Sequence, residues 1–117
     1  MKKVLIIEDD GDTLDMLGYI AATSNVEVVL RSDVIPLEEI KQISPDLIIL
    51  DHWIGTSKGG DLCLEIKQNP AMAGIPVVML SALNEIGQIA LDSCADGSLA
   101  KPFDITEIGD IIETYIG

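Results

Sequence analysis

The sequence places a charged or hydroxyl-bearing side chain directly after four of its short apolar runs. These side chains are Glu8 and Asp9 after the first run, Asp51 after the third, Ser81 after the fourth and Lys101 after the fifth. If they meet in space, three carboxylates and one ammonium group give a site with a formal charge of −2. Carboxylates held this close repel one another unless a cation binds. The pattern therefore indicates a cation site.

The ligand types at this site favour magnesium and phosphoryl chemistry. Oxygen ligands without His or Cys suit Mg²⁺, which takes one or two carboxylates and completes its shell with water and phosphate oxygens. An Asp carboxylate is also a nucleophile toward phosphorus and forms an aspartyl phosphate. Such a transfer needs positive charge around the phosphoryl oxygens, which Mg²⁺ and Lys101 would supply, while Ser81 can donate a hydrogen bond. The cluster is therefore suited to accepting a phosphoryl group.

The elements that must bring these residues together are five short strands alternating with five helices. The apolar runs are continuous, as parallel strands covered on both faces require. They are Val4–Ile7, Val26–Leu30, Leu47–Leu50, Pro76–Leu80 and Ser98–Ala100. Helical spacing predicts helices over 12–22, 35–43 and 83–93. A further helix is predicted around Leu62 and Ile66 and ends at Asn69-Pro70, and the last helix begins at Ile105, with Asp104 as its cap. This alternation predicts a doubly wound α/β fold with right-handed crossovers, whose ligand site lies beyond the carboxyl ends of the strands.

Length, charge and cysteine content restrict the functional classes. A chain of 117 residues is expected to form one domain. The net charge of −13 and the absence of a basic stripe argue against nucleic-acid binding, and no apolar run approaches the roughly 20 residues of a membrane span. Cys63 and Cys94 lack the spacing of a zinc or redox site. We predict that both are small buried residues of a cytoplasmic protein whose partners are proteins or cations.

Four segments resemble the signature segments of response-regulator receiver domains of two-component systems. They are KVLIIEDD at 3–10, PDLIILD at 45–51, PVVMLSA at 76–82 and AKPF at 100–103. They occur in the order of the family, and the resemblance covers essentially the whole chain. It implies one receiver domain over 1–117 with a flavodoxin-like fold, in which five parallel strands have the order 2-1-3-4-5 and are accompanied by five helices.

The resemblance also implies roles for six residues. Glu8, Asp9, Asp51 and the backbone carbonyl of Trp53 would bind the metal. Asp51 would accept the phosphoryl group, Ser81 would be the switch hydroxyl and Lys101 would pair with the phosphate. A histidine kinase or phosphotransfer protein would donate the phosphoryl group, and the surface of the fourth and fifth predicted helices would then change its affinity for a protein target. Beyond forming and losing its own acyl phosphate, the chain is not expected to be an enzyme. Asp10 has no family role and is expected to cap a helix.

The sequence departs from the family pattern at several positions. Ser98 stands where many members carry the Tyr or Phe that turns inward on activation. Either the signal is read out by another route, such as backbone shifts after Ser81, or Ser98 is simply a residue that tolerates solvent. The loop after Asp51 is one residue longer and has Gly where Pro is usual. We expect His52 to pack in this loop on the side away from Asp51. Trp53 and Leu83 are hypothesised to exclude water from the acyl phosphate.

Two other readings stay open at the level of sequence. The chain could be a receiver-like interaction module that works without phosphorylation, although its acidic site is complete. A phosphatase of the haloacid dehalogenase type also uses a strand-end Asp, Mg²⁺ and a Lys. That family needs a second Asp two residues after the nucleophile, where this chain has Trp53.

Overall fold

A computed structural model of the protein describes residues 1–81 and 95–116. The strands are β1 (Lys3–Ile7), β2 (Glu27–Arg31), β3 (Leu47–Asp51), β4 (Trp53–Ile54), β5 (Ser57–Lys58), β6 (Val77–Ser81) and β7 (Gly97–Ala100). The helices are α1 (Gly11–Ala22), α2 (Leu37–Ile43), α3 (Gly59–Gln68) and α4 (Ile105–Ile116), the last of which is the fifth predicted helix. The helix predicted over 83–93 and the residues Ala82 and Cys94 lie outside the described ranges.

Five of the strands form one parallel sheet in the order β2-β1-β3-β6-β7. β6 and β7 are the fourth and fifth predicted strands, so this is the predicted order 2-1-3-4-5. The doubly wound fold is therefore confirmed. Ile7 is paired with Leu50, and Leu50 with Met79. Because these pairs are level, the carboxyl ends of β1, β3 and β6 lie at one edge of the sheet. β4 and β5 form a separate antiparallel hairpin that the sequence analysis did not predict.

The sheet is covered on both faces, and alternate residues of each strand enter different cores. One core lies under α2 and α3 and receives Leu5, Ile7, Ile48, Leu50, Val77 and Met79 from the strands. The other lies under α1 and α4 and receives Val4, Ile6, Leu47, Ile49, Val78 and Leu80. Burial on both faces is why the strands read as continuous apolar runs. Within the described ranges, no helix has the length and apolarity needed to cross a membrane.

The helix boundaries follow local capping chemistry. The Asp10 carboxylate accepts a hydrogen bond of 3.0 Å from the N–H of Thr13 and caps α1, which confirms the predicted role of Asp10. The predicted start of the second helix at residue 35 was wrong. Pro36 is extended and its carbonyl accepts the N–H groups of Glu39 and Ile40, so α2 begins one residue after it. α3 ends at Gln68, as the following Asn-Pro pair predicted.

Candidate functional site

The carboxyl edge of the sheet gathers the charged residues that the sequence placed after the strands. Glu8 and Asp9 follow β1, Asp51 ends β3, Ser81 ends β6 and Lys101 follows β7. Glu8, Asp51 and Ser81 are buried, whereas Asp9 is exposed. One carboxylate oxygen from each acidic residue lies within 4.8 Å of the others. The three predicted metal-binding side chains therefore come together.

Lys101 joins two of these carboxylates. Its Nζ lies 2.7 Å from Glu8 Oε2, to which it donates a hydrogen bond, and 3.3 Å from Asp51 Oδ1. Its backbone N–H donates to the carbonyl oxygen of Ser81 at 2.8 Å, which extends the β6–β7 pairing to the point where the side chain enters the site. The peptide bond between Lys101 and Pro102 is cis. Lys101 thus reaches the acidic cluster from the end of β7, which β6 separates from β3 in the sheet.

Burial is the largest of the effects that shift the pKa of Asp51. Burial and the neighbouring charge of Glu8 raise the pKa of Asp51 to about 6 from its ordinary value of 3.8, against the opposing effect of Lys101. Burial lowers the pKa of Lys101, but its hydrogen bond with Glu8 and the charge of Asp51 outweigh this, and the pKa lies above its ordinary value. The lysine therefore stays charged near neutral pH, whereas the Asp51 carboxyl of the metal-free protein is only half ionised at about pH 6. A further cation at the site would favour the ionised carboxylate.

The hairpin of β4 and β5 lies beside Asp9. The backbone N–H of Gly55, at the tip of the hairpin, donates a hydrogen bond of 2.8 Å to Asp9 Oδ2. Gly55 has a φ of 61°, in the left-handed region that glycine adopts without strain. At the other end of the hairpin, the N–H of Gly59 donates to the carbonyl oxygen of His52. Both ends of the hairpin thus contact the segments that carry the acidic residues.

Gly59 permits a close backbone approach at Asp51. A Cβ atom built at this position would overlap the carbonyl oxygen of Asp51 and would come within 3.2 Å of Leu50 Cγ. Only glycine therefore fits where α3 begins against the end of β3. This contact fixes the backbone of Asp51 relative to α3.

His52 and Trp53 form a small aromatic cluster on this hairpin. The His52 ring is buried and meets the Trp53 ring edge-on, with centroids 5.1 Å apart. Burial and the charge of Lys58 lower the pKa of His52, and among the described residues its Nδ1 has no hydrogen-bond partner. Trp53 is 45% exposed, and Lys58 Nζ lies 5.7 Å from its ring centroid. The metal-binding role of the Trp53 carbonyl stays a prediction.

The donor set fits a hard divalent cation. Three carboxylate oxygens can converge within 4.8 Å of one another, and among the described residues no His nitrogen or Cys sulfur joins this group of ligands. Two of the carboxylates are buried, so their charges are poorly screened by water. Lys101 neutralises one charge of the three, and a cation such as Mg²⁺ would offset the remainder.

The family model of the response regulator receiver domain matches residues 4–113. The chain belongs to this family. The regulator RpaA of Synechocystis, described as a DNA-binding dual master transcriptional regulator, is 34% identical over 111 residues, which are 92% of this chain and 46% of that protein. PhoP of Bacillus subtilis, an alkaline phosphatase synthesis transcriptional regulatory protein, is 30% identical over 118 residues, or 98% of this chain and 48% of that protein. The receiver chain thus spans about half the length of these curated relatives.

Solved receiver structures agree with the sheet described above. The crystal structure of the receiver domain of NtrX from Brucella abortus superposes with a TM-score of 0.84 at 27% identity and covers 97% of both chains. The chemotaxis protein CheY4 of Vibrio cholerae superposes with a TM-score of 0.88 at 22% identity and covers 99% of both chains, which supports the fold. The receiver fold is therefore established by both sequence and structure.

Sequence reasoning missed two residues that shape the site, Gly55 and Gly59. The signal for the first was present, because a Gly at the first position of a two-residue turn between Ile54 and Ser57 is typical of a tight β-hairpin. The role of Gly59 had no local signal. It depends on a contact with Asp51 that exists only once α3 packs against β3.

Proposed function

We propose that this receiver domain accepts a phosphoryl group on Asp51 and binds Mg²⁺ through Glu8, Asp9, Asp51 and the backbone carbonyl of Trp53. The observation that supports it is the environment of Asp51. Its carboxylate is buried at the strand edge, 3.3 Å from Lys101 Nζ and within 4.8 Å of the two other carboxylates. The donor would be a histidine kinase or a phosphotransfer protein, acting in the cytoplasm.

The transfer would form one bond and break one. An oxygen of the Asp51 carboxylate attacks phosphorus, the bond between phosphorus and the donor imidazole nitrogen breaks, and its electron pair returns to that nitrogen. Lys101 pairs with an oxygen of the new acyl phosphate and the Ser81 hydroxyl donates to another. Bound Mg²⁺ supplies positive charge to the phosphoryl oxygens. Because the pKa of Asp51 is about 6, a fraction of its carboxyl groups is protonated near neutral pH until a cation binds.

The phosphorylated domain would act through a protein surface. Residues 83–93, for which the sequence predicts a helix, follow Ser81 in the chain, and α4 follows Lys101. We expect a change at Ser81 and Lys101 on phosphorylation to alter the surface predicted for residues 83–93 and α4. Since Ser98 replaces the usual aromatic residue, this signal would pass through the backbone of β6 and β7. The target would be a protein rather than nucleic acid, as expected from the net charge of −13.

Phosphorylation by a small phosphodonor tests this function directly. The protein is incubated with Mg²⁺ and acetyl phosphate, and mass spectrometry is used to detect one labile phosphoryl adduct, which Asp51→Asn should lack. A parallel sample with beryllofluoride should show NMR shifts at Ser81 and Lys101. If neither reagent perturbs the wild-type site, the domain functions as a phosphorylation-independent interaction module.

A further inference from the structure

The hairpin of β4 and β5 is held firmly on the side of the sheet that carries the acidic site. Ile54 is 3% exposed and belongs to the core beneath α2 and α3. At its base, Gly59 closes on the carbonyl oxygens of Asp51 and His52. The hairpin tip is therefore the end of an anchored element, and a hydrogen bond from the tip has a defined direction.

The tip contacts the one acidic ligand that the core does not fix. Glu8 and Asp51 are buried and paired with Lys101. Asp9 is exposed, and its Oδ2 accepts the N–H of Gly55, a residue 46 positions away in the chain. A carboxylate with one oxygen held in this way loses rotational freedom, while its other oxygen can still bind a cation.

We propose that Gly55 is a positioning residue for Mg²⁺ binding, which acts by holding the Asp9 carboxylate in the orientation that the cation requires. This inference rests on the proposed function, because it assigns Asp9 to the metal. It needs two properties of residue 55, a backbone N–H and a left-handed φ. Glycine provides both, Asn provides both at some cost, and proline provides neither.

A magnesium titration of Gly55 variants tests the proposal. Trp53, the only tryptophan of the chain, lies on the hairpin and provides a fluorescence signal, and calorimetry checks each midpoint. Gly55→Pro should weaken Mg²⁺ binding about ten- to a hundredfold, as is usual when a group that orients a metal ligand is lost. Gly55→Asn should recover most of this affinity. Thr56→Ala, at the same tip, keeps the Gly55 N–H and should titrate like the wild type.

A double-mutant cycle separates positioning from damage to the hairpin. In an Asp9→Ala background the carboxylate is gone, so Gly55→Pro should change the Mg²⁺ midpoint less than about twofold. An equal loss in both backgrounds would show that the effect passes through the backbone near Asp51, and it would overturn the proposal. So would wild-type affinity in Gly55→Pro. Wild-type protein that takes up no phosphoryl group and binds no Mg²⁺ would instead contradict the proposed function.

Discussion

Asp51 is a buried carboxylate that shares Lys101 with the buried Glu8. Its pKa of about 6 lies above its ordinary value of 3.8, so the folded protein binds this proton more tightly than the unfolded chain does. The stability that comes from protonation is complete below about pH 4 and is lost as the pH rises to about 6. The acceptor site therefore destabilises the metal-free protein at neutral pH.

We expect Asp51→Asn to be more stable than the wild type at pH 7 in the absence of divalent cations, by about 2 to 3 kcal/mol at most. The difference between the two proteins should shrink as the pH falls from about 6 to about 4, because the wild-type carboxyl becomes neutral. Urea unfolding at a series of pH values in a chelating buffer measures it. A difference that does not vary with pH in this range would show that the pKa of Asp51 is not raised.

Trp53 follows Asp51 by two residues, and we expect its ring to limit the access of water to the acceptor. Its ring makes an edge contact with His52 and lies near the ammonium group of Lys58, two residues beyond the end of β3. The partner suggested for it by the sequence, Leu83, lies outside the described residues. We expect Trp53→Asn to speed hydrolysis of the acyl phosphate about tenfold, which corresponds to about 1.4 kcal/mol in the barrier.

The decay of the phosphorylated protein after removal of the phosphodonor provides the measurement. Tyr19→Asn is a suitable control, because Tyr19 is an aromatic residue 78% exposed on α1 and lies in a separate element. Its acyl phosphate should decay at the wild-type rate. Equal decay in Trp53→Asn and the wild type would exclude the shielding role.

At the scale of the elements, the parts of the fold with a periodic signal were predicted and the parts that depend on tertiary contact were not. β1, β3 and β6 are covered on both faces, so their apolar runs mark them almost to the residue. The hairpin is only two residues long in each strand, too short to show a period. The side chains of the site could be singled out because each stands directly after an apolar run or one residue further along, whereas the N–H of Gly55 donates only after the hairpin has folded.

The junction of β3 and α3 is sensitive to a single methyl group. Gly59→Ala would press a Cβ against the backbone of Asp51, which cannot turn away as a flexible side chain can. We expect a loss of about 1 to 3 kcal/mol in the free energy of unfolding, together with weaker Mg²⁺ binding. Thermal and urea unfolding measure the first effect and a fluorescence titration the second.

Gly74→Ala is the matched control for this junction. A Cβ at Gly74 meets nothing within 4 Å, so the change should be neutral or should stabilise the protein by a few tenths of a kcal/mol through the unfolded state. If both alanine variants were equally stable, the close approach at Gly59 would be tolerated by movement of α3.

The whole molecule carries far more negative than positive charge, and its acidic site is one part of that excess. A net charge of −13 on 117 residues destabilises the compact state by self-repulsion, which any salt reduces. A cation bound at Glu8, Asp9 and Asp51 acts differently, because it binds the folded protein and has no comparable site in the unfolded chain. General screening and specific binding should therefore be separable.

We expect Mg²⁺ to stabilise the wild type more than sodium chloride does at equal ionic strength. At a free concentration of about 100 times the dissociation constant, the specific part amounts to about 2.7 kcal/mol. Asp9→Ala should keep the part due to screening and lose most of the specific part, and urea unfolding in matched salts measures both. Equal stabilisation of the two proteins would mean that Mg²⁺ acts on the overall charge alone. If the two proteins differ in Mg²⁺ but not in sodium chloride, the exposed Asp9 carboxylate belongs to a specific cation site beside Asp51.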